Sequence, residues 1–192
     1  DIDCKGFGSE DVLLNYIDIW GINLYRGFSL GGVFKSIGYL TSKPVMVTEY
    51  GVDAWYTCNI GNPDEGYEDQ DRQAKWLSNI HKEINGCRNV IGSTVMSFTD
   101  EWWKCPEGTL HTQERRGGHS RLDQPDGFAN EEYWGIVGIA KATEGDKEID
   151  RLIVRKAYEQ LRDQFLVKDK VSIYQWDFDH RLDREGVVTV SY

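Results

Sequence analysis

Lys43-Pro44-Val45-Met46-Val47-Thr48-Glu49-Tyr50-Gly51 is the stretch on which the reading of this chain turns. Proline opens it, a short apolar run carries it inward, and a carboxylate appears where that run stops. A strand buried on both faces reads as a near-continuous apolar run, so 43–51 is expected to be a strand of a parallel sheet. An acid at its carboxyl end, followed by glycine, points a charge into an open mouth, where the ends of neighbouring parallel strands converge. Glu49 is therefore the leading catalytic candidate. The plainer reading is that it caps the next helix or pairs with an arginine.

Working outward, residues 9–16 begin with Ser9 and two acids and then turn apolar, as the end of a short helix does. Ile17 to Tyr25 is rich in β-branched and aromatic residues and is closed by Arg26-Gly27, which predicts a second buried strand. Between the two strands, Leu30, Val33, Phe34 and Ile37 recur at i, i+3, i+4 and i+7 and predict a helix over 29–41, despite Gly31 and Gly32. Strand, helix and strand in so short a span form one βαβ unit, which demands a parallel sheet.

The unit then repeats. Residues 52–68 form a loop rich in Gly, Asn, Pro and Asp that should bring Asp53 and Trp55 to the mouth beside Glu49. Leu77, Ile80 and Ile84 give a helix over 69–85 its apolar face, with Gly86 as a left-handed stop. Val90 to Thr99 reads as the third strand, ending at Asp100-Glu101-Trp102-Trp103. Periodicity is lost from 105 to 135, where Phe128, Tyr133 and Trp134 predict a return over the mouth. Val154, Ala157, Tyr158, Leu161 and Phe165 predict a last helix over 149–166, and 171–176 and 186–192 alternate like two antiparallel strands. The organisation expected is an α/β part over 1–166 and a small β appendage over 167–192.

With 192 residues, 40% hydrophobic and 12% aromatic, the chain can build one core. A formal charge of −10 repels nucleic acid and anionic membrane surfaces and suits a neutral ligand such as a sugar. Seven Trp and ten Tyr offer flat faces of the kind that sugar binders use, although aromatics also fill ordinary cores. No apolar run is long enough for a membrane span. Cys4, Cys58, Cys87 and Cys105 include no Cys-x-x-Cys, which argues against zinc. Their even number permits disulfides and leans toward a secreted or extracellular protein, with buried thiols in a cytosolic one as the alternative. No cofactor or metal is called for: Asp123 and Asp126 lack a calcium-loop spacing and read as a solvated turn, and His111 and His119 read as loop histidines.

Side by side, the three strand ends Asn23-Leu24-Tyr25, Thr48-Glu49-Tyr50 and Thr99-Asp100-Glu101-Trp102-Trp103 present a phenol, a carboxylate and an indole. This pattern resembles the last three βα units, about strands 6–8, of the retaining glycoside hydrolases with a TIM (β/α)8 barrel, the clan that includes the β-galactosidase, β-glucuronidase and endoglucanase families. The resemblance covers roughly residues 9–165. It implies that Glu49, within Thr48-Glu49-Tyr50-Gly51, is the nucleophile, that Tyr25 hydrogen-bonds it, and that Trp102 or Trp103 forms the floor under the sugar. Such enzymes need two carboxylates about 5–5.5 Å apart.

The second carboxylate is not found. In the resembled clan it follows an asparagine on the fourth strand, upstream of this chain, and Asn130-Glu131 lies too late in the order to take the role. Asp53, Asp100 and Glu101 can reach the same mouth and are expected to bind sugar hydroxyls or orient the loop. Three βα units cannot close a barrel, so the remaining strands are expected from an upstream polypeptide or a partner chain. Cys58 and Cys105 follow neighbouring strands at the mouth and form a candidate disulfide. Two other readings compete with the glycosidase or transglycosidase: a non-catalytic carbohydrate-binding or structural barrel module of an extracellular assembly, and an unrelated α/β enzyme with a metal at Glu49.

Overall fold

The structure is a computed structural model, which describes residues 10–104, 113, 115, 118–120 and 124–166. Its centre is a three-stranded parallel sheet of β1 (Trp20–Asn23), β2 (Val45–Tyr50) and β5 (Val90–Val95), in the order β1-β2-β5. The helix α1 (Val33–Leu40) joins β1 to β2, and α2 (Gln70–Asn85) lies between β2 and β5, so each crossover carries a helix. The described residues form an open α/β sheet and not a closed barrel.

Helix α1 is shorter than the 29–41 expected. Gly31 takes a φ of 55°, a left-handed conformation that ends any helix, so the first turn begins after it. Leu30, Phe34 and Ile37 still face the core. Asp69 caps α2 by accepting the Arg72 N–H at 2.9 Å, and Leu77, Ile80 and Ile84 pack beneath Val45 and Val47. At the other end Gly86 is not the left-handed stop expected. Its φ of −76° is right-handed, and its N–H donates to the carbonyls of Lys82 and Ile84.

The loop over 52–68 holds a short antiparallel pair, β3 (Trp55–Tyr56) with β4 (Tyr67–Glu68). Beyond β5, β6 (Gly118–Ser120) pairs with β7 (Phe128–Asn130). Next comes a hairpin that the sequence reading missed, β8 (Val137–Glu144) with β9 (Lys147–Val154), turned at Gly145-Asp146 with Gly145 at φ 62°. The last helix, α3 (Lys156–Leu166), is correspondingly shorter than the 149–166 expected, because 149–154 is taken by the cross-strand ladder.

Cys58 is an exposed free thiol and Cys87 a partly buried one. The expected Cys58–Cys105 disulfide is thus not made by Cys58, which leaves the extracellular assignment without cysteine support. Cys4, Cys105, His111, Asp123 and the β appendage expected over 167–192 lie outside the described residues. Asp126, expected on a solvated turn, instead buries its side chain: its carboxylate accepts the N–H groups of Thr57 at 2.8 Å and Phe128 at 3.2 Å. Among the described residues no helix is long and apolar enough to cross a membrane.

Candidate active site

Strand alternation alone would place Glu49 on the wrong side. Val45 and Val47 face the helices and are fully buried, so strict alternation would turn the side chain at 49 toward the same layer. A bulge prevents this. Against β1, the register runs Ile22 to Val47 and then Asn23 to Glu49, and against β5 it runs Val47 to Ser93 and then Tyr50 to Val95. Residue 48 is therefore an extra residue relative to both neighbours, and a bulge of this kind re-aims the side chains after it. Tyr50 takes the helix side, with its hydroxyl 3.1 Å from His81 Nδ1 on α2. Glu49 is left on the opposite face at the carboxyl end of the sheet.

There the Tyr25 hydroxyl donates to Glu49 Oε2 at 2.7 Å. The backbone aligns the pair, since the Leu24 N–H donates to the Glu49 carbonyl at 2.8 Å. Thr48 Oγ1 donates to Asn23 Oδ1 at 2.7 Å on the same rim. Tyr25 and Glu49 are both half-buried, open enough to meet a ligand and enclosed enough to hold one geometry.

The other expected site residues divide sharply. Trp103 is 60% exposed and offers a free indole, whereas Trp102 is 5% exposed and buried in the wall. Trp55 is also buried; it packs tilted against Tyr133, and its N–H is taken by the Pro63 carbonyl at 3.1 Å. Glu101 pairs with Lys104 at 3.5 Å. Asp100, expected to reach sugar hydroxyls, is fully buried and holds Arg155 through both oxygens, together with the Gly135 N–H and the Gln113 amide. Asp53 is likewise fully buried, accepting from Arg72 at 3.1 Å and from the Asn130 N–H at 2.6 Å. Both acids are spent on buried contacts within the fold. Among the described residues no three His, Cys, Asp or Glu side chains converge as metal ligands.

Trp134, expected as part of the segment returning over the mouth, was given no role of its own by the sequence. The return segment is stitched to the mouth by Tyr133 accepting from the Ala54 N–H at 2.9 Å and Trp134 accepting from the Ser97 N–H at 3.2 Å. This brings the indole to 4.8 Å from the Tyr25 ring, centroid to centroid. The aromatic pair Tyr133-Trp134 ahead of Gly135 was the available signal, since a side chain at 135 would overlap the Thr99–Asp100 backbone.

Asp53 and Asp126 share one guanidinium, with Asp126 3.8 Å from Arg72. Burial, with the Asp126 charge adding to it, raises the Asp53 carboxyl to about 8, against the partial opposition of Arg72 and the Asn130 N–H. The folded chain thus keeps a proton that the unfolded chain releases at about pH 4, so stability is expected to fall as pH rises from about 4 to about 8 and to level off above. Thermal melts between pH 5 and 9 check this: Asp53→Asn should flatten that part of the slope, and an unchanged slope would remove Asp53 as its source.

No protein-family model matches the chain, and no curated protein matches its sequence. Several solved structures are similar to parts of it. A GH2 β-galacturonidase from Eisenbergiella tayi is 17% identical over 80% of this chain and 24% of that one, with a TM-score of 0.44. A Bifidobacterium dentium β-glucuronidase is 22% identical over 78% and 21%, with a TM-score of 0.42. A Faecalibacterium prausnitzii β-glucuronidase is 17% identical over 81% and 23%, with a TM-score of 0.43. The chain spans less than a quarter of the length of each of these three structures.

Proposed function

We propose that this chain is the nucleophile-bearing part of a retaining glycoside hydrolase or transglycosidase acting on β-linked glycans, with a (β/α)8 barrel completed by strands from elsewhere in the polypeptide or from a partner. The observation that carries this reading is the Tyr25 hydroxyl donating to Glu49 at the carboxyl end of a parallel sheet, on a face that Glu49 reaches only through the bulge at residue 48. In the reaction Glu49 attacks the anomeric carbon and the leaving oxygen takes a proton from an acid outside these βα units. A water or a second sugar then displaces the carboxylate from the glycosyl-enzyme. Tyr25 keeps one carboxylate oxygen aimed, leaving the other for attack. Trp103, the exposed indole after β5, supplies a flat face for a sugar ring.

The test is a mechanism-based 2-fluoro glycoside applied to the complete protein, with peptide mapping of the adduct. Label on Glu49 is the expected result, and an active enzyme labelled elsewhere would sink the assignment. Tyr25→Phe removes one hydrogen bond to a charged group, an interaction of about 1.5–3 kcal/mol. The labelling rate constant and kcat/KM are therefore expected to drop roughly 10- to 100-fold with little change in melting temperature. A variant within about twofold of the parent would show that the phenol does not assist.

A further inference from the structure

We infer that Trp134 is a positioning residue for Glu49, acting through Tyr25 and not by touching the substrate. Only the kinetic arm of this inference rests on the glycosidase reading. The indole is 5% exposed and tilted at 55° against the Tyr25 ring, 4.8 Å between centroids. The absence of a side chain at Gly51 leaves room for it: a Cβ there would overlap the Met96 carbonyl oxygen and stand 3.3 Å from Trp134 Cε3. The ring thus lies close to the backbone at the end of β2 and against the phenol beyond the end of β1. Its own N–H has no acceptor among the described residues, so packing and not a hydrogen bond sets its orientation.

The backbone on either side of the indole is pinned. The carbonyls of Tyr133 and Trp134 accept from Ala54 and Ser97, and the Ile136 N–H donates to the Ser97 carbonyl at 3.0 Å. Tyr25, by contrast, lies two residues past β1, beyond the ladder whose last paired position is Asn23. A ring in that position needs a neighbour to restrict its rotamer, and Trp134 covers it. The resulting order of neighbours is Gly51, Trp134, Tyr25, Glu49: a backbone edge, an indole, a phenol and the carboxylate it holds. Small displacements of an aiming group are costly in rate, because the reacting atoms must keep their alignment.

The experiment is a double-mutant cycle in the complete protein. Trp134→Ala is expected to lower kcat and the 2-fluoro labelling rate roughly tenfold with KM nearly unchanged, while Trp134→Phe recovers most of the loss. In a Tyr25→Phe background the same Trp134→Ala change should cost no more than about twofold, because the hydroxyl through which it acts is already gone. Equal losses in both backgrounds, or an effect confined to KM, would overturn the inference in favour of packing alone or direct sugar contact. A second readout does not depend on turnover. With 3-fluorotyrosine at position 25, the ¹⁹F resonance should shift on Trp134→Leu, through loss of the indole ring current. An unmoved resonance would refute the contact even if Glu49 proves not to be a nucleophile. Failure of labelling in the parent protein with a shifted resonance would refute only the glycosidase reading.

Discussion

Glu49→Gln is expected to lower kcat/KM by roughly a thousandfold or more, an effect of at least ~4 kcal/mol on the transition state, with the fold intact. The amide can still accept the Tyr25 hydroxyl, so the local geometry persists and only the anion is lost. A shorter replacement, Glu49→Ala, leaves room for a small external nucleophile. Added azide or formate should restore part of the turnover on an activated substrate. Azide would enter from the face the carboxylate has vacated, giving a glycosyl azide of inverted configuration. That stereochemistry separates a nucleophile from an acid that merely orients the sugar, since loss of an orienting group is not repaired with inversion. Product analysis of the Glu49→Ala reaction decides it: a variant within about tenfold of the parent, or azide rescue with retention, would remove Glu49 from the role.

The part of the site visible in sequence was the part encoded locally. The apolar run at 45–47, the glycine after Tyr50 and the i, i+4, i+7 spacing of Leu30, Phe34 and Ile37 each act over a few residues, and strand, helix and strand appear where those signals lie. Whether Glu49 faces the mouth was not local. It depends on how residue 48 sits against two other strands, and alternation taken alone predicts the opposite side. The β8–β9 hairpin shows the same limit from the other direction. Val154, Ala157 and Leu161 fit a helical period, yet Gly145-Asp146 closes a two-residue turn and the strand period wins upstream of Arg155, because pairing from Glu144–Lys147 to Val137–Val154 satisfies the backbone there. Trp134 reaches Tyr25 through bonds to Ala54 and Ser97, and Asp100 is withdrawn from the mouth by an arginine 55 positions later. Neither partner could be chosen from composition or spacing.

That arginine carries the second large effect. Arg155 is 2% exposed and donates to both Asp100 oxygens, to the Gly135 carbonyl at 2.8 Å and to Glu68 at 3.3 Å. Burial works against its charge, but the hydrogen bonds and charges of Asp100 and Glu68 outweigh it and hold the guanidinium above its ordinary pKa. The cluster fastens four segments: the end of β4, the turn after β5, the stretch at Gly135 before β8, and the junction of β9 with α3. Removing one partner leaves the other buried without its counter-charge, which costs about 3–5 kcal/mol. Arg155→Met is therefore expected to lower the melting temperature by roughly 6–20 °C and to shift the urea midpoint at nearly constant slope. Asp100→Asn, which keeps shape and some acceptor capacity, should cost less than Asp100→Ala. Because Asp100 lies in the turn after β5, where the sequence expected it to reach a sugar, these variants also separate two roles. An acid that binds sugar hydroxyls raises KM when neutralised and leaves stability alone. The buried pair predicts the reverse, lost stability with KM unchanged in the fraction that stays folded, and a raised KM at an unaltered melting temperature would return Asp100 to the substrate.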